Sequence, residues 1–75
     1  MATHTFALQG EFIELNVLLK LLALASSGGA AKALVSEGLV RVDGVVETRI
    51  RRKLRVGQEV RLGDEVIRVV GTQSD

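Results

Sequence analysis

The sequence contains no cysteine, proline, tryptophan or tyrosine, and its one histidine is His4. Without cysteine there is neither a disulfide framework nor a thiolate metal site, and a single histidine near an N-terminus expected to be mobile cannot assemble a ligand cluster. No metal or cofactor is expected, and a reducing cytoplasm is the default compartment. The two phenylalanines, Phe6 and Phe12, fall in segments that read as strand or core, so no aromatic platform for stacking unpaired bases is expected. Long hydrophobic runs are missing too. The uncharged stretch Leu21 to Ala31 falls well short of the ~18 residues of a membrane span, and no basic flank followed by an apolar block marks a secretory signal. Seventy-five residues make one domain with a small core and little room for a large buried catalytic cavity. Asp43, Asp64 and Glu65 fall at expected turns rather than beside a nucleophile or base, so the chain is not expected to be an enzyme.

What the chain does have is an uneven distribution of charge. The formal net charge is +1, yet five of the ten basic residues lie in Arg49-Ile50-Arg51-Arg52-Lys53-Leu54-Arg55, which contains no acid. A local positive field of this kind attracts a polyanion while the remaining surface stays balanced. Arginine suits phosphate because its planar fork can donate to two oxygens at once. The alternative is a solvated face on which Glu47 and Glu59 pair locally with these cations.

Thr5 to Gln9 alternates polar with apolar residues and ends at Gly10, as in a short strand. From about Glu14 the period becomes helical: Leu15, Leu18, Leu19 and Leu22 share a stripe, and the helix is expected to run to about Ala25. Ser27 is the expected N-cap of a second helix ending at Gly38. Period two then returns. Val40 and Val42 point inward with Arg41 outward, Asp43-Gly44 turns a tight hairpin into Val45-Val46, and Lys53 to Val56 alternates so that Leu54 and Val56 are buried. Val60 to Leu62 and Val66 to Val70 flank a turn at Gly63-Asp64, and the tail from Gly71 to Asp75 is expected to fray. The expected fold is α+β, with two short helices packed on one side of a small, mainly antiparallel sheet.

Gly28-Gly29 at a helix start leaves backbone N–H groups open to a phosphate, with Lys32 just inside the helix. It is not a nucleotide-binding P-loop, because Gly28 to Ala33 lacks the loop spacing and the Gly-Lys-Ser/Thr ending. The order of motifs is more telling than any one of them: Leu18-Leu19-Lys20, Ser27-Gly28-Gly29 with Ala31-Lys32, Glu37-Gly38, Val40 to Gly44, Glu47-Thr48-Arg49 and Arg52-Lys53. Over about residues 13–70 this series resembles the S-four RNA-binding domain, named after a small-subunit ribosomal protein, in its short free-standing bacterial YbcJ-type form. The resemblance implies the αL arrangement of two helices on a small sheet, and a non-catalytic role binding structured RNA of the ribosomal or transfer RNA class. Carried over by position, it makes Lys20, Lys32, Arg49, Arg51, Arg52 and Lys53 candidate phosphate contacts, with Ser27, Gly28 and Gly29 shaping the corner. Arg41 and Arg55, outward on their strands, complete the candidate set. Glu14-Leu15-Asn16 stands where larger members have Arg-Leu-Asp, the corner lacks their arginine, and Gln58 follows Gly57 where they have aspartate. The expected partners are structured RNA and ribosome or ribonucleoprotein components, with the chain a monomer away from membranes. The competing expectation is an adaptor whose basic face binds an acidic protein.

Overall fold

The alternating segments become strands and the 3.6-residue stripes become helices in the computed structural model, which describes residues 2–72. In chain order these are β1 (Ala2–Leu8), β2 (Ile13–Glu14), α1 (Leu15–Leu21), α2 (Gly28–Ser36), β3 (Val40–Val42), β4 (Val45–Val46), β5 (Lys53–Leu54), β6 (Glu59–Leu62) and β7 (Glu65–Gly71). The main sheet has the order β1-β7-β6-β3-β4, and β2 pairs with β5 in a separate two-stranded ribbon. The β7–β6, β6–β3 and β3–β4 pairs are antiparallel, whereas β1 lies parallel to β7.

Alternation turns Val40, Val42, Val60, Ile67 and Val69 toward the helices, where they meet Leu15, Leu18, Leu19, Ala31 and Val35 in one buried cluster. Each fully buried Leu, Ile or Val contributes about 1.5–3 kcal/mol of transfer free energy. Two helices therefore pack on one side of a mostly antiparallel sheet, as the hydrophobic pattern predicts.

Several local expectations need correction. The first helix stops at Leu21, not near Ala25, because Ala23 takes a left-handed φ of 58° and the Ala23 and Leu24 N–H groups fold back to Lys20 and Leu19 carbonyls. The strand predicted through Val56 ends at Leu54, and Val56 is 56% exposed in the turn before Gly57. His4 is held in β1, its Nε2 2.7 Å from Glu65 Oε1. Gly71 closes β7 opposite Leu8, and the rest of the expected fraying tail beyond Thr72 lies outside the described residues. The second helix starts and stops as expected. Ser27 Oγ accepts the Ala30 N–H, and Gly38, at φ 76°, lets the Gly38 and Leu39 N–H groups reach Val35 and Leu34 carbonyls. Asp43 and Gly44 both have positive φ, as a two-residue hairpin turn demands. Among the described residues, no helix is long and apolar enough to cross a membrane.

Candidate nucleic-acid interface

The basic segment is fixed by its apolar members and its main chain. Leu54 is fully buried and Ile50 packs against the core, so the cations between and beside them turn outward. The carbonyls of Ile50 and Arg52 accept the Asn16 and Leu15 N–H groups at 3.1 and 2.9 Å, capping the start of α1 where Glu14 makes no side-chain cap. Pairing of Ile13 with Leu54 and of Glu14 with Lys53 secures the other end. The result is a main-chain brace whose side chains project from a rigid base.

Arg49, Arg51, Arg52 and Lys53 line an open basin of about 590 Å³. Beneath them, Glu47 is only 7% exposed. Its Oε2 accepts from Arg49 Nε at 3.0 Å and from the Arg49 backbone N–H at 2.9 Å, while Oε1 accepts from Arg49 Nη2 at 3.1 Å and Arg52 Nη1 at 2.8 Å. Hydrogen bonds led by the Arg49 side chain overcome the opposing effect of burial and hold the Glu47 carboxyl down to about 2. The same carboxylate raises the Arg49 pKa, chiefly through the side-chain hydrogen bond.

The expected local pairing by Glu47 is therefore real, and it organises the cluster without neutralising it. Glu47 engages two arginines, and Glu14 lies 3.9 Å from Arg51, so among the described residues two carboxylates face the five cations of residues 49–55, an excess of three. Glu59, the other acid expected to pair with the basic segment, instead meets Arg61 at 3.1 Å and Arg68 at 3.7 Å on the outer face of the sheet.

The candidate residues do not all line one basin. Arg49, Arg51, Arg52 and Lys53 line the basin, and Arg55 adjoins it across Phe12. Lys20, Ser27, Gly28, Gly29 and Lys32 are exposed on the helical layer but do not line that basin. Arg41 also stands apart, opposite Arg61 on the sheet face turned away from the core, with its Nη1 3.4 Å from Gly44 O. Two contributors are absent from the sequence-based set. Glu47 positions the arginines, and Phe12, expected in strand or core, is 38% exposed with Lys53 Nζ 4.8 Å from its ring centroid. Among the described residues, no group of three or more His, Cys, Asp or Glu side chains is placed to hold a metal.

The model of one protein family, the S4 domain, matches residues 6–70. Over 58 residues the chain is 47% identical to an Escherichia coli (strain K12) protein named "Putative RNA-binding protein YbcJ", a match covering 77% of this chain and 83% of that protein. The same figures hold for "Uncharacterized protein YbcJ" of Shigella flexneri. A solution structure of YbcJ from E. coli, described as revealing an αL motif involved in RNA binding, is similar with a TM-score of 0.64 and 42% identity, covering 95% of this chain and 89% of that one.

Proposed function

The chain belongs to the S4 domain family, and from that premise we propose that it is a non-catalytic RNA-binding protein whose Arg49 to Arg55 face holds the phosphate backbone of a structured RNA. The observation that carries the proposal is the basin of outward cations on a main-chain brace. Pre-set arginine forks lose less side-chain freedom when phosphate arrives, and they read backbone geometry rather than base identity. RNA binding named for the YbcJ relatives supports the same reading. So does the use of acids elsewhere: Glu47 is committed to arginines, and Asp43 accepts from the Glu59 N–H at 2.9 Å and from Gln58 at 3.1 Å, which ties two turns together.

The RNA in this proposal is of the ribosomal or transfer RNA class, bound by a single copy of the chain in a cytoplasmic ribonucleoprotein. Titrating isotope-labelled protein with an RNA hairpin and following amide shifts tests the location. Changes should gather on residues 50–55 and on Leu15 and Asn16, whose N–H groups the segment caps. Changes centred on Arg41, Arg61 and Arg68 would move the interface to the outer sheet face. Displacement of the hairpin by polyglutamate at matched charge would favour an acidic protein partner instead.

A further inference from the structure

Both aromatic residues of the chain line one place on its surface. Phe6 and Phe12, with Ala7, Leu8, Gln9 and Ile13, border an open hollow of about 360 Å³. Phe6 is partly buried against the core, but Phe12 stands at the rim, just before β2. Core packing does not account for an exposed ring there. Lys53 Nζ and Arg55 Cζ lie 4.8 and 6.0 Å from its centroid, and Arg55 Nη1 also donates to Glu11 O at 3.3 Å, tying this loop to the basic segment. Lys53 also lines the cationic basin, so its contact with Phe12 brings the aromatic hollow and that basin next to each other.

We infer that this hollow receives an unpaired nucleobase, stacked on Phe12, while Lys53 and Arg55 hold the adjoining phosphate. The inference rests on the RNA-binding proposal and narrows its ligand to a structured RNA with a base outside the helix, such as a bulge. Every base presents a π-face, so the stack tolerates sequence, and nearby cations add electrostatic attraction. Gln9, also at the hollow, offers both a donor and an acceptor to a base edge. The inference departs from the expectation, drawn from the absence of Trp and Tyr and from the placement of Phe6 and Phe12 in strand or core, that recognition has no stacking platform.

Three RNA hairpins with one stem sequence test the inference: fully paired, with one bulged adenine, and with an abasic residue at the bulge. The chain should prefer the adenine bulge over either control by roughly tenfold, within the range of base–aromatic stacking. Phe12→Ala and the bulkier Phe12→Leu should abolish that preference, so that each variant binds the three hairpins alike. Phe12→Trp should retain it, and the introduced indole fluorescence should be quenched by the adenine bulge and not by the abasic control. A folded Phe12→Ala protein that still prefers the bulge overturns the stacking role. Equal, salt-sensitive binding of all three hairpins by the unmodified chain overturns the inference while leaving the RNA-binding proposal standing. No binding to any hairpin overturns both.

Discussion

Glu47 is the residue on which the geometry of the basic face depends. A carboxylate buried among arginines fixes their orientation, and its removal would leave two guanidinium groups facing each other without a counter-charge. Folding lowers its pKa from 4.5 to about 2, so its contribution is complete above about 4.5 and is lost as pH falls toward and through 2. After discounting for the solvent exposure of Arg49, that contribution is on the order of 2 kcal/mol. Glu47→Gln should lower neutral-pH stability by about this amount and flatten the acid loss between pH 4.5 and 2, read from thermal melts by circular dichroism. An acid profile as steep as that of the unmodified chain would assign the loss to other carboxylates. Pairing by Glu47 was legible because an acid stood near a basic run. Its burial was not, since a charged residue between valines and a polar loop carries no sign that Arg49 and Arg52 will close over it. Phe12 was misread for the converse reason: hydropathy places a ring in the core, whereas this one is 38% exposed beside Lys53 and Arg55.

At the scale of elements, α1 ends without the signal that ended α2. Gly38 marks the second terminus, but the first uses Ala23 in the left-handed region, so the leucine pattern runs on past the true end. Packing sets that end: Ala25 is buried and Leu24 leans on the core only if the chain turns at Ala23. Ala23→Gly should relieve the strain of a Cβ at positive φ and stabilise the fold by about 1 kcal/mol, seen as a higher urea midpoint with an unchanged m-value. An unchanged midpoint would mean that the residue adapts without cost. Gly28 and Gly29 differ from Gly38, since neither has positive φ, and a Cβ on Gly29 would meet only Ser27 Oγ at 3.9 Å. Their absence of side chains is not required by folding. Gly29→Ala should therefore raise stability by about 0.4–1 kcal/mol while lowering RNA affinity, in paired melting and binding titrations. A more stable variant with unchanged affinity would remove the Ser27 to Gly29 corner from the contact surface.

For the molecule as a whole, topology separates two sets of cations that the sequence interleaves. Arg41, Arg61 and Arg68 lie on the outer sheet face, where Glu59 partly offsets the latter two. The Arg49 to Arg55 set gathers where β5 and α1 meet. The two-layer architecture was readable from the change of hydrophobic period. Parallel pairing of the first and last long strands was not, because alternation shows which face of a strand is buried and never which strand lies beside it. This separation makes charge position testable against charge total. Arg51, Lys53 and Arg55 are the exposed members of the basic set without a hydrogen bond to Glu47, and among the described residues the one carboxylate approaching Arg51 is Glu14, at 3.9 Å. The most direct measurement is the salt dependence of affinity for an RNA hairpin, comparing the unmodified chain with the Arg51→Ala/Lys53→Ala/Arg55→Ala protein. If these side chains neutralise three phosphates, the log–log slope should fall in magnitude by about 2 to 3, with the melting transition preserved. A folded triple variant with an unchanged slope would contradict the account.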